Sequence, residues 1–398
     1  MGNRSALFAS RTNWNLTPNP LSEALTERRA AGKSVLDLTA SNPTECGFTY
    51  DAEAILSALQ NPAVLSYAPD PRGLLAAREA VCAYYAGRGD LLTPDRLILT
   101  TSTSEAYSFV FRLLCEPGDE VLVPQPSYPL FDFLADLHDV KLVRYPLLYE
   151  HGWQIDFYAL RQVLTARTRA VIVVNPNNPT GNFCKRAEMA ELNAICGAGG
   201  MAIIADEVFL DYSLLPEPPR SFVTNNSAPT FTMSGLSKIA GLPQFKASWL
   251  ALSGPAEWKR DALERLEVIA DTFLSMNAPV QHAMPKLLAL RAQFQQQLEA
   301  RVRENLAELD RQLVARQSAG DTGRITRLEI EGGWYAVLNL PANYSSDEVA
   351  LRLLTEHGVY LHPGHFYEFA GERALVVSLI SLPKDFADGT AHLVALVR

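Results

Sequence analysis

No stretch of the 398-residue chain approaches the roughly 20 consecutive apolar residues that a membrane-spanning helix requires. The opening, Met1-Gly-Asn-Arg-Ser-Ala6, has no apolar core of the kind a secretory leader carries, and Ala6 stands where an N-myristoylation pattern needs Ser or Thr. Cysteine is scarce. The five residues at 46, 82, 115, 184 and 196 form neither a paired framework nor a Cys-x-x-Cys spacing. No disulfide scaffold and no metal site are expected, and a reducing, cytoplasmic compartment is. There is no Lys/Arg run, and a formal charge of −9 speaks against a nucleic-acid surface. Internal repeats and low-complexity linkers are also missing; Leu214-Leu-Pro-Glu-Pro-Pro219 reads as an exposed loop.

What is present fits an enzyme-sized globular chain. With 48% hydrophobic and 20% charged residues it can bury a large core, and it is long for one domain. From about Arg96 to Gly254 short apolar runs alternate with helical patterns, which implies an α/β fold with a mostly parallel sheet between helices. Strands are expected at Arg96–Thr101, Glu120–Pro124, Ala170–Asn175, Met201–Asp206 and Ser248–Ser253. A long helical pattern over Pro279–Arg316 follows, then strand-like Gly333–Leu340 and Ala374–Leu379 around a helix at Ser346–His357. The division expected is an N-terminal arm (1–45), a large domain (46–278), and an interdomain helix with a smaller α+β domain (279–398) that the arm joins.

Four segments carry chemistry. Lys238 lies among small and hydroxyl residues in Ser234-Gly-Leu-Ser-Lys238-Ile-Ala-Gly, room that an amine needs to meet an aldehyde cofactor. The run Leu97-Ile-Leu-Thr-Thr-Ser102-Thr103-Ser104 passes from a strand into a helix start, where unpaired N–H groups and hydroxyls suit a phosphate. Asn178 stands in the rigid turn Asn175-Pro-Asn-Asn178-Pro179-Thr-Gly181, and Asp206 ends the apolar run from Met201. Taken singly, these read as a loop lysine, an N-cap cluster, a turn residue and a helix cap.

Taken together and in this order, they resemble the class I/II aminotransferases, enzymes of the aspartate aminotransferase fold (fold type I) that use pyridoxal 5′-phosphate (PLP). The resemblance runs over nearly the whole chain. It implies that Lys238 forms the internal aldimine, that Asp206 pairs with the pyridine nitrogen and that Asn178 bonds the phenolic oxygen. Ser102 and Thr103 would hold the phosphate, and Tyr128 in Pro124-Gln-Pro-Ser-Tyr128 would stack on the ring. Tyr67 in Leu65-Ser-Tyr67-Ala-Pro would reach the phosphate of a partner subunit in a homodimer with shared sites. The reaction implied moves an amino group between an amino acid and a 2-oxo acid; the alternative is a lyase, decarboxylase or cyclising enzyme on a specialised amino acid.

That alternative comes from departures. Val376, in Ala374-Leu-Val376-Val-Ser378, stands where the family carries the arginine that grips the substrate carboxylate. Arg72, Arg373, His362 and His365 are possible substitutes. Phe209 replaces a tyrosine that bonds the phenolic oxygen, Lys246 replaces a phosphate-binding arginine, and Gly235 replaces the serine three residues before the lysine. His365 reads as a surface or packing histidine. Trp334 and Tyr335, after Gly332-Gly333, read as core strand residues or as pocket lining.

Overall fold

The computed structural model describes residues 7–217, 219–317 and 324–397. Met1–Ala6 of the opening segment and Pro218 of the proline-rich loop lie outside these. Eight strands form the main sheet: β1 (Leu97–Thr100), β2 (Glu120–Gln125), β3 (Lys141–Tyr149), β4 (Trp153–Ile155), β5 (Thr168–Val174), β6 (Ala202–Asp206), β7 (Thr230–Gly235) and β8 (Ser248–Ser253). Their order is β1-β8-β7-β6-β5-β2-β3-β4. Six run in one direction, and only β8 and β4 oppose their neighbours.

The continuous apolar runs of the central strands have a simple cause: both faces of the sheet are covered. Ala170, Ile172 and Val174 of β5 pack on one side with Ala202, Ile204, Phe109 and Leu266. Val171 and Val173 point the other way and meet Leu192 and Ile195 of the helix Arg186–Gly199. The expected strand Ser248–Ser253 matches β8 end to end.

The helix Ala278–Gln317 is 40 residues long, about 60 Å at 1.5 Å per residue. Its first half puts Met284, Leu287 and Leu288 into a core with Trp249, while Leu298, Val302 and Leu309 enter a second core with Trp334 and Phe386. Beyond it, β9 (Thr326–Arg327), β10 (Tyr335–Asn339), β11 (His362–Pro363) and β12 (Ala374–Ser378) form an antiparallel sheet in the order β9-β10-β12-β11. The expected helix at Ser346–His357 is α-helical only to Arg352; Leu353–His357 opens into a wider π-type turn closed by Gly358 at φ +73°. The N-terminal arm is tied to this region: Leu36–Asp37 pairs in parallel with Val359–Tyr360, and Ser378 N–H donates to the Leu38 carbonyl at 2.7 Å.

Candidate active site

The register of the main sheet gathers the chemistry-bearing segments at one end. Ser248 opens β8 between Thr100, the last residue of β1, and Gly235, the last of β7. Asp206 ends β6 between Val174 of β5 and Met233 of β7. The turns carrying Ser102, Asn178, Asp206 and Lys238 therefore leave the same edge, the position at which open α/β sheets receive ligands.

Lys238 sits in the short helix Leu236–Ile239 that follows β7. Tyr212 fixes its backbone by donating its hydroxyl to the Lys238 carbonyl in a short hydrogen bond. At the other end of the residue, Nζ donates to the Ser41 carbonyl of the N-terminal arm at 3.4 Å. It lies 4.7 Å from the ring centroid of Trp334 and 5.6 Å from that of Phe209. Loss of water around the amine lowers its pKa to about 8, against the opposing pull of the Asp206 charge.

Asp206 is 8% exposed. Its Oδ1 accepts from the Val208 N–H and its Oδ2 from the Tyr107 hydroxyl, each at 3.2 Å. Burial raises its pKa to about 6, and those two bonds together with Lys238 oppose the rise. At neutral pH the carboxylate is ionised, a buried anion at a sheet edge with room for a cationic partner. Asn178 is also buried, and its Oδ1 has no hydrogen-bond partner. Tyr128 follows β2 at the rim, 40% exposed, close enough to Tyr335 and Asp206 for their charges to add to the burial that pushes its pKa to about 12.

At the phosphate-like turn, Ser102 caps the helix Thr103–Leu114 by accepting the Glu105 N–H at 3.1 Å, so its side chain serves the helix directly. Among the described residues no hydrogen bond uses the N–H of Thr103 or Ser104, the first two of that helix. The Glu105 carboxylate folds back onto the Thr101 N–H at 2.7 Å and its hydroxyl at 3.1 Å. Lys246 is exposed, in a turn at φ +51° two residues before Ser248.

Several expectations are corrected. Arg72 is bound to Glu267 through two donors at 2.9 and 2.6 Å, Arg373 is exposed beside β12, and His365 pairs with Asp347 at 3.1 Å. None of these three is among the groups that the Lys238 amine meets, which are Ser41, Trp334 and Phe209. His362 does stand on the relevant face, because it is the cross-strand partner of Val376, which also pairs with Val337. Its Nδ1 lies 3.2 Å from the Tyr367 hydroxyl, and burial lowers its pKa to about 4, so it is neutral at pH 7. Trp334 is not core alone: it is fully buried and also forms a wall against the lysine.

Reading the motifs missed Tyr107, Ser41, Tyr212 and Ser104. The periodicity of the helix after Ser102 marks Tyr107 as inward-facing, which is the one signal that could have found it. Tyr67 is 84% exposed and lines a surface cavity of about 280 Å³ with Phe109, Leu274 and Gln281, a cavity that includes neither Lys238 nor Asp206.

Comparison with known proteins places this geometry. The chain is 32% identical over 267 residues to glutamate-pyruvate aminotransferase AlaA of Escherichia coli K12, covering 65% of this chain and 64% of that protein. It is 30% identical over 276 residues to an alanine aminotransferase of Mycobacterium tuberculosis H37Rv, covering 67% and 62%. The chain thus spans somewhat under two thirds of the length of these relatives. In fold it is similar to alanine aminotransferase from Pyrococcus furiosus, with TM-score 0.85, 23% identity and 98% and 99% of the two chains covered. Aspartate aminotransferase from Thermotoga maritima gives TM-score 0.82 and 19% identity, again over 98% and 99%. Residues 33–379 match the model of aminotransferase class I and II. The chain belongs to the class I and II aminotransferases, a family of PLP-dependent enzymes with the type I fold.

Proposed function

We propose that this protein is a PLP-dependent aminotransferase that moves an amino group between an amino acid and a 2-oxo acid. The observation that carries the reading is the pairing of a lysine whose pKa is lowered to about 8 with a buried, ionised carboxylate at the same sheet edge. The residues suit the cofactor. Among the described residues Asn178 Oδ1 is buried without a partner, the amide can turn to offer either end to a ring oxygen, and the first two N–H groups of the helix after Ser102 are unused.

In this reading Lys238 attaches the cofactor, Asp206 holds the pyridine nitrogen and Asn178 the phenolic oxygen. Tyr128 packs on the ring face, while Ser102, Thr103 and Lys246 serve the phosphate. PLP supplies an aldehyde that takes up amines and a ring that withdraws electrons. Nζ of Lys238, partly neutral near pH 8, takes the proton from the substrate Cα and returns it at the other end of the transfer. Phe209 offers no hydroxyl, so the cofactor oxygen is held by fewer donors than the family provides. Trp334 and Phe209 keep water from the amine. No observation favours the lyase or decarboxylase alternative, and the relatives are named as aminotransferases.

The cofactor-bearing body is taken as residues 46–278, with the arm 1–45 and residues 279–398 forming the second domain. A homodimer with shared sites is part of the proposal. Its support is Tyr67, which stands 84% exposed next to Leu65 at 90%, away from Lys238 of its own chain. A cytoplasmic location fits five free cysteines; among the described residues no helix is long and apolar enough to cross a membrane.

The test is a screen of the PLP-loaded protein against a panel of amino acids, following the cofactor's absorbance and scoring oxo acid, ammonia and carbon dioxide. Oxo acid formed one-for-one with the aminated cofactor is expected. Ammonia or carbon dioxide as the main product rejects the reading.

A further inference from the structure

Gly235 is not a glycine for backbone reasons: its φ is 179°, ordinary extended backbone open to any residue. Space is the reason. A Cβ built at position 235 would lie 2.3 Å from Ser248 Oγ and 2.8 Å from the Ala247 carbonyl oxygen, far inside contact distance. The register explains the approach, since Gly235 and Ser248 are direct partners across β7 and β8. Position 235 has no room for a side chain, because Ser248 and the Ala247 carbonyl fill the space, and the hydroxyl present comes from the neighbouring strand. Ser248 is 2% exposed, yet its hydroxyl makes no hydrogen bond among the described residues. Its other strand partner is Thr100, which leads into the helix start with the free N–H groups of Thr103 and Ser104, and Lys246 lies two residues upstream.

We propose that Ser248 supplies, from β8, a phosphate-binding hydroxyl that Gly235 on the paired strand cannot. This rests on the reading of the cleft as a PLP site. A phosphate dianion accepts hydrogen bonds only, so this unused O–H, with the two unused N–H groups that follow the paired strand and the ammonium two residues upstream, is matched to it in kind.

The test measures dissociation constants for PLP and for pyridoxal, which lacks the phosphate, by spectral titration of apoprotein. S248A should weaken PLP by about tenfold or more, the worth of one hydrogen bond to a charged group, and leave pyridoxal within about twofold. S248G, which removes the hydroxyl without adding any group to the strand pair, should lose the same preference for PLP over pyridoxal as S248A. Unchanged PLP binding in S248A, or equal weakening of PLP and pyridoxal, overturns the proposal. If S248A does not fold, S248G decides by the same two titrations, and an unchanged preference for PLP over pyridoxal overturns the proposal. Wild-type protein that binds neither compound would instead reject the cofactor reading itself.

Discussion

The amine of Lys238 lies 4.7 Å from the ring centroid of Trp334, a residue that also belongs to the core shared with Leu298 and Val302 of the long helix. The wall that removes water from the lysine is thus held rigid by packing on its far side. Desolvation disfavours the charged amine more than the indole face and Asp206 favour it, so the net shift is downward. Capture of PLP by apoprotein needs the neutral amine, which exists above the folded-state pKa. The capture rate should therefore rise with pH through a midpoint near 8, not near the ordinary lysine value of 10.5. Stopped-flow measurement from pH 6 to 10, with borohydride reduction and peptide mapping to Lys238, checks it. In Lys238→Ala the labelled peptide should disappear while the apoprotein stays folded; label on another lysine defeats the assignment.

Tyr107 bonds directly to Asp206, the carboxylate proposed to hold the pyridine nitrogen. Its hydroxyl donates to Asp206 Oδ2 at 3.2 Å and favours the carboxylate over the acid. Tyr107→Phe removes that bond, and the pKa of Asp206 rises from about 6. Below its pKa the group is a neutral acid and cannot pair with a pyridinium. PLP affinity in the variant should fall more at pH 6 than at pH 8, by roughly five- to tenfold at the lower value, the scale of about 1 kcal/mol or slightly more. Equal losses at both pH values would mean the hydroxyl only packs.

Val376 is expected to change how a substrate carboxylate is recognised. It is 1% exposed, between Val337 and a neutral His362 on the strands either side. Neither of its cross-strand partners carries a fixed positive charge that could meet a carboxylate. Val376→Arg puts a guanidinium into an apolar slot, a cost of a few kcal/mol unless an anion meets it. The variant should melt several degrees lower and lose about tenfold or more in kcat/KM toward whichever amino acid the wild type prefers. A variant that keeps this activity and adds common amino acids shows that the pocket was never rewired.

The main sheet was legible in the sequence for a physical reason. Strands buried on both faces must be apolar throughout, so β5, β6 and β8 announce themselves as short runs ending at Asn175, Asp206 and Ser253. Lys238, Asp206 and Asn178 stood out as candidates because their turn chemistry is local, and the register brings their turns to one sheet edge. Tyr107, Ser41 and Tyr212 were not, since each acts through a partner 26 to 197 residues away. Gly235 shows the same limit. Its identity is explained by Ser248 across the strand pair, and no window around position 235 contains that residue. Choosing among Arg72, Arg373, His362 and His365 likewise needed strand pairing, because only the register puts His362 opposite Val376.

Tyr67 supplies the last prediction. Its side chain is 84% exposed and makes no hydrogen bond among the described residues, an unusual state for an aromatic residue that the family resemblance assigns to a phosphate. If it completes the site of a second copy, each site draws Lys238 from one chain and Tyr67 from the other. Tyr67→Ala and Lys238→Ala homodimers then have two damaged sites each. A mixed dimer concentrates both defects in one site and leaves the other intact, so co-expressed, doubly tagged and purified heterodimer should recover about half the wild-type activity per dimer, by simple counting of sites. The activity of the Tyr67→Ala homodimer, measured beside it, sets the baseline. Heterodimer activity no higher than half that baseline would assign Tyr67 to its own chain's site and remove the argument for shared sites.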